Sequence, residues 1–325
     1  MKKQMRSIVI MTILIFIAFE ILTESNSILN SVLFSFTIWQ KNIFPSLFPF
    51  FVLSELLIHF GFIPFASELL KPFMQIFKIK SEAAFVLIMG LVSGFPSSAK
   101  YTRELYLKGI LNEEEASKVL TFTHFSNPLF LLGTVSISFL GNKASGIFVL
   151  IIHYFTNFIV GFLFRNYYPS KKTEKKVSFK NAIREMSNFN KDKTSFGTIL
   201  TNAIQNSIHT LLLILGTVTC FLVITTIIDN NVHLNNFNQS ILNGFVEMTQ
   251  GLRYISLLEI PLKLKSTLSI MILSFGGLSV HMQIISILSD TKIKYLPFLT
   301  ARILHATIGG IIGFSFFVIW MKFYM

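Results

Sequence analysis

The fold class predicted by this sequence is all-α: a polytopic helical membrane protein with two gate-like repeats and discontinuous, broken or re-entrant helices. Three observations predict it. Apolar residues make up 52% of the 325 residues and charged ones only 14%, against about 25% charged in a typical soluble domain. Mean hydropathy is +0.63. Apolar runs long enough to cross a bilayer recur, and Lys and Arg gather between them. The net charge of +12 therefore fits the positive-inside rule and anionic lipid surfaces rather than nucleic acid. No stretch free of membrane segments is long enough for a basic soluble domain. The single cysteine, Cys220, lies in an apolar run and rules out an internal disulfide or a CxxC redox pair.

Residues 1–44 read as an N-terminal membrane helix and an interfacial segment. Lys2, Lys3 and Arg6 precede a run from Ile8 to Leu22 that is apolar except for Thr12 and Glu20. No small-x-small site follows, so an uncleaved helix with a cytoplasmic N-terminus is expected rather than a removed signal peptide. Ile28 to Trp39 reads as interfacial. Residues 45–166 form the first expected repeat. Pro45 and Pro49 fit a helix start or bend before the apolar segment Phe50 to Phe62, which contains Glu55. Phe65 to Phe77 closes with Lys78 and Lys80.

The stretch Gly90 to Lys100 organises this half. An apolar run, Ala83 to Met89, leads into Ser93-Gly94-Phe95-Pro96-Ser97-Ser98. Pro96 lacks an N–H and disfavours helix at Phe95, and Ser97 or Ser98 is placed to cap a new helix. The expected result is a discontinuous helix whose second half aims free N–H groups and a positive dipole end inward, with Lys100 one turn on. Such an end suits a carboxylate. Irregular backbone at membrane depth survives only where protein buries it or it lines a wet cavity. Ser93, Gly94, Ser97, Ser98 and Lys100 are thus candidate substrate residues.

Tyr101 to Leu120 is polar and reads as helix outside the hydrocarbon. Thr121 to Pro128 is a second interruption, and Ser126 or Asn127 before Pro128 signals a helix over Leu129 to Leu140. Ser126 and Asn127 join the candidates; capping and interhelical hydrogen bonding are the competing reading. Gly146 to Phe164 is a full crossing with His153 and Asn157 inside. Residues 167–195 form a loop that charge bias assigns to the cytoplasm; the same basic residues are also those of a lipid- or partner-binding arm.

Residues 196–325 form the second expected repeat. Phe196 to Ile228 is one long apolar helix with His209. Asp229 to Asn243 lacks Lys and Arg and is expected outside. Gly244 to Gly251 is a polar interruption holding Glu247. Leu268 to Phe275 runs into Gly276-Gly277-Leu278-Ser279, which makes Gly276, Gly277 and Ser279 candidates. Ile303 to Trp320 is the last crossing. His153 to Phe164 resembles His305 to Phe316, and Ser93-Gly94 resembles Gly276-Gly277. Paired glycine-interrupted apolar segments in two halves point to a carrier site between repeats.

Ionisable groups at a helix centre cost about 2.5–3.5 kcal/mol, so Glu55 and Glu247 require partners or water and are candidate coupling carboxylates for H+ or Na+. Lone histidines on apolar helices, His153, His209 and His305, read as packing residues. No HExxH, P-loop or GxSxG occurs, so neither a metal, a cofactor, an enzyme nor ATP-driven transport is expected. Ser97-Ser98-Ala99-Lys100 matches SxxK without the SDN or KTG that would accompany it, and is read as accidental.

Phe48-Pro49-Phe50-Phe51, Ser54-Glu55-Leu56-Leu57, Ser93-Gly94-Phe95-Pro96 through Ala99-Lys100, and Ser126-Asn127-Pro128-Leu129-Phe130 resemble the YlbJ-type sporulation integral membrane proteins with their nucleoside-recognition (Gate) domain. Gly244 to Gly251 with Glu247 resembles their second-half motif. Gate domains are related to parts of concentrative nucleoside transporters and of ferrous-iron transport proteins. The resemblance implies a multi-pass carrier in the cell membrane for a small anionic or polar metabolite, with dipicolinate the cargo suggested by the sporulation branch. A nucleoside-type carrier and a non-transporting assembly or sporulation factor are the alternatives, the latter expecting dry, packed interruptions. The expected partners are a small molecule, the bilayer and a coupling ion; a homo-oligomer is compatible with the sequence.

Overall fold

The computed structural model describes residues 2–169, 178–189 and 194–324. Among these, helices α1 (Lys2–Thr23), α2 (Ser25–Ile38), α3 (Phe44–His59), α4 (Phe62–Ile76), α5 (Ala84–Ser93), α6 (Ser97–Leu107), α7 (Glu113–Val119) and α8 (Lys143–Leu163) make the first part. Then come α9 (Phe179–Phe189), α10 (Phe196–Asn231), α11 (Asn236–Val246), α12 (Met248–Leu257), α13 (Leu262–Phe275), α14 (Gly277–Leu288) and α15 (Tyr295–Tyr324). No strand occurs among the described residues. Six helical stretches among the described residues are long and apolar enough to cross a bilayer, and α13 with α14 counts as one of them.

The stretch expected at the interface, Ile28 to Trp39, is continuous helix instead. α2 passes through a π-helical turn, Trp39–Ile43, straight into α3. The wide turn lies just ahead of Pro45 and Pro49, whose missing N–H groups disturb the regular ladder there. Leu47 and Phe51 of α3 pack with Leu211, Ile214, Val218 and Leu222 of α10. Trp39 Nε1 donates to the Leu211 carbonyl at 3.0 Å, and Ser35 and Thr219 hydroxyls meet at 2.8 Å. Hydroxyl contacts of this kind are how apolar helices hold together where lipid supplies no hydrophobic drive.

The larger core joins α4–α8 to α12–α15. α13 and α15 approach closely because Gly309 and Gly313 face Ile270; a Cβ at either would lie within 3.0 Å of that side chain. Within the polar stretch Tyr101 to Leu120, Tyr101, Thr102 and Leu105 of α6 are fully buried in the protein. α6 folds back on α5, bringing the Phe85 and Tyr101 rings to 5.2 Å.

Several basic groups are paired along the connections between helices. Lys78 donates to Asn166 at 2.6 Å, Lys80 pairs with Glu115 and Lys294 with Glu113, each at 3.2 Å, and Arg103 forks onto Asp290. Lys118 caps two chain reversals at once, donating to the Lys78 carbonyl at 3.0 Å and the Arg165 carbonyl at 2.8 Å. Burial, with Lys78 and Arg165 beside it, pushes its ammonium down to about 8.

Candidate functional site

Four helix ends meet at one place, and the local sequence explains each. α5 stops at Ser93 because Gly94 takes φ +74° and ψ −166°, a conformation open to glycine alone. Phe95 N then donates to the Phe125 carbonyl at 2.8 Å, tying this turn to the extended stretch that precedes Pro128. α11 turns into α12 at the single residue Glu247, whose carboxylate accepts from Gln250 N at 2.8 Å and so caps α12. That sharp reversal is allowed because Gly244 and Gly251 lie face to face; a Cβ on Gly251 would fall 2.1 Å from the Gly244 Cα. α13 ends at Gly276 and α14 begins at Gly277, with φ of +94° and +69°. Gly277 in turn lies against the Met248 amide, 2.9 Å from where its Cβ would be.

Between these ends is a cavity of about 50 Å³, room for roughly three or four waters. Its polar wall is Ser46, Ser126, Asn127, Glu247, Thr249, Ser279 and Gln283. Phe95, Phe130, Ile214 and Val218 supply the apolar wall. The Ser126 hydroxyl is buried there without a hydrogen-bond partner. Glu247 is 1% exposed.

Residues 41–143 match the family model described as Gate, nucleoside recognition. The sporulation integral membrane protein YlbJ of Bacillus subtilis (strain 168) is 31% identical over 334 residues, covering 95% of this chain and 82% of that protein. The chain belongs to the YlbJ family. No solved structure matches it. The Gate match takes in the Ile43, Ser46, Phe95, Ser126 and Asn127 side of the cavity. The Glu247 and Ser279 side of this YlbJ-family chain lies beyond the match.

Of the residues singled out in the sequence, Ser126, Asn127, Glu247 and Ser279 line the cavity together. Asn127 spends both ends of its amide locally. Its Oδ1 accepts from Leu129 N at 2.8 Å and Phe130 N at 3.1 Å, and its Nδ2 donates to the Val92 carbonyl at 3.1 Å. Gly94, Gly276 and Gly277 form the turns behind the wall. Ser93 donates to the Met89 carbonyl at 2.7 Å, inside α5. Ser97 does not cap α6; its hydroxyl turns back onto the Gly94 carbonyl. Ser98 meets His124 Nδ1 at 3.3 Å.

Lys100 and Glu55 are placed elsewhere. They pair with each other at 2.6 Å, Asn206 donates to Glu55 at 3.2 Å, and the group opens on two clefts at the side of α3 and α10. Spacing along the chain gave no hint of this pairing, because it joins α3 to α6. Lys100→Met and Glu55→Gln are each expected to lower the unfolding midpoint in detergent. A double-mutant cycle should return a coupling of about 1 kcal/mol; additive effects would mean that the pair does not tie α6 to α3.

Sequence reasoning missed Arg302, at the start of the last crossing and fully buried. It donates to the Thr121 carbonyl at 2.6 Å, the His124 carbonyl at 3.1 Å and Asn157 Oδ1 at 2.8 Å, and contacts His305 Nδ1 at 3.0 Å. His305 Nε2 donates to the His153 carbonyl at 2.8 Å, and the two imidazoles stack at 4.8 Å. His153 Nε2 accepts from Ser126 N at 3.0 Å. His153 and His305 are thus packing and hydrogen-bonding residues behind the cavity wall, whereas His209 is exposed and lines one of the lateral clefts. A cation inside an apolar run was the signal that could have found Arg302.

Proposed function

We propose that the chain is a secondary carrier for a small anionic metabolite, held in the central cavity between two gate-like repeats. The observation that carries the reading is that side chains from both halves of the chain converge on one small, mainly apolar cavity that holds a few polar groups: Phe95, Ser126 and Asn127 from the first, Glu247, Thr249 and Ser279 from the second. We take the two repeats as residues 45–166 and 196–325, which include α5 to α8 and α11 to α15. His153 and His305 are then equivalent positions, stacked where α8 and α15 cross.

Helices α6, α12 and α14, and the helical stretch after Pro128, all begin near the cavity, so their amide ends favour a carboxylate. Half-helix ends facing a midplane site are the arrangement by which carriers hold charged cargo. With room for only a few waters, the cavity admits cargo when a hairpin tip moves, which makes this a closed state. Glu247 is the coupling carboxylate in this reading; Glu55, paired with Lys100, supports the hairpin. The relative's name places that protein in sporulation, and an aromatic dicarboxylate of the dipicolinate type is the first cargo to test.

Uptake by sealed vesicles bearing the protein tests the reading. Dipicolinate is expected to accumulate and to be displaced by other small dicarboxylates but not by nucleosides. Glu247→Gln should reduce the rate by about tenfold or more. Accumulation of nucleosides instead would support the nucleoside-type carrier. No uptake of either by folded protein would support a non-transporting assembly factor.

A further inference from the structure

We propose that Glu247, Thr249 and Ser279 form the seat of one sodium-sized monovalent cation at the tip of the α11–α12 hairpin. The inference deepens the carrier reading by naming the coupling ion, and it is tested without any cargo. Among the described residues, no Lys, Arg or His pairs with Glu247. A buried carboxylate without a cation is costly and must take up a proton or a counter-ion.

The spacing of the oxygens fits an ion better than a hydrogen-bond network. Thr249 Oγ1 and Ser279 Oγ stand 3.2 and 3.5 Å from Glu247 Oε1. A hydroxyl donating to a carboxylate settles at about 2.5–2.7 Å. Metal–oxygen distances of about 2.3–2.6 Å set adjacent ligand oxygens about 3.3–3.7 Å apart. The carbonyls of Gly244 and Val246 lie against the α13–α14 turn that precedes Ser279, 3.3 and 3.4 Å from where a Gly277 Cβ would be. These belong to the C-terminal end of α11, which carries negative dipole charge. Ser126 Oγ, buried without a partner, lines the same cavity. One carboxylate balances one positive charge, so a divalent ion would leave buried charge uncompensated.

The test is the unfolding midpoint of purified protein in detergent, with NaCl exchanged for choline chloride at fixed ionic strength. Na+ should raise the midpoint saturably and choline should not. Thr249→Val and Ser279→Ala should each weaken the apparent Na+ affinity by about tenfold, and Glu247→Gln should abolish the response. If Glu247→Gln fails to fold, the Thr249 and Ser279 variants carry the test. Equal midpoints in Na+ and choline, a midpoint that responds to pH alone, or variants that titrate like the wild type would overturn the proposal. Na+ binding with no uptake of any cargo would sink the carrier reading and leave the cation seat standing.

Discussion

Arg302→Leu is expected to abolish uptake and to lower stability by roughly 2–4 kcal/mol. The guanidinium is the donor for the Thr121 carbonyl and Asn157 Oδ1, and the partner of His305 Nδ1. Removing it strands these acceptors in a dry interior, at about 1–3 kcal/mol each. Relief of burying the guanidinium itself offsets part of that cost. The functional loss should exceed the loss of stability. The stretch from Thr121 to Pro128 carries Ser126 and Asn127, and it runs without helical hydrogen bonds for most of its length. Its carbonyls are held instead by side chains: Arg302 at Thr121 and His124, Asn157 at Phe122 and His124. Arg302→Lys tells charge from geometry. A single ammonium cannot reach acceptors arranged around a planar fork, so the lysine variant should remain defective in uptake while recovering little stability. A lysine variant with wild-type uptake would show that only the charge matters.

The second large effect is expected for Gly94→Ala. At φ +74°, ψ −166° an alanine pays about 1–3 kcal/mol of backbone strain. Its Cβ would also fall 2.5 Å from the Asn127 amide nitrogen. The hairpin tip and the cavity wall must then move apart, breaking the Phe95 N to Phe125 carbonyl bond that joins them. Gly109→Ala is the control. Gly109 has φ +67° with nothing within 4 Å of an added Cβ, so it carries strain without collision and should cost about 1 kcal/mol. Unfolding midpoints of the two variants, measured side by side with uptake, separate strain from collision. Equal losses would show that the contact with Asn127 plays no part.

Much of the architecture was legible because it depends on short stretches of chain. Hydropathy marked α8 and α10 within a few residues, but placed the start of the last crossing at Ile303, eight residues after α15 begins. Gly94 with Pro96, and Gly276 with Gly277, marked places where one helix ends and the next begins, since glycine and proline act on their own backbone whatever surrounds them. The same local logic failed where a neighbour supplied the answer. Ser97 looked like a helix cap but bonds back to Gly94. Ile28 to Trp39 looked interfacial because its polar residues are spread out; Ser31 and Ser35 are spent on α10. Arg302 escaped notice because it stands where a basic flank would stand, at the edge of a crossing. Its depth is visible only once α15 is seen against Thr121 and Asn157.

By itself the sequence determined the class of protein, several of its long apolar helices and the family, because apolar run length and ordered motifs are properties of contiguous chain. Only the tertiary structure decided which of two equally plausible acids faces the cavity. Glu55 and Glu247 each lie in an apolar setting in the sequence. Folding brings a lysine from α6 to the first and leaves the second with hydroxyls and amides alone. That difference is set by partners far away along the chain, and no local pattern can encode it.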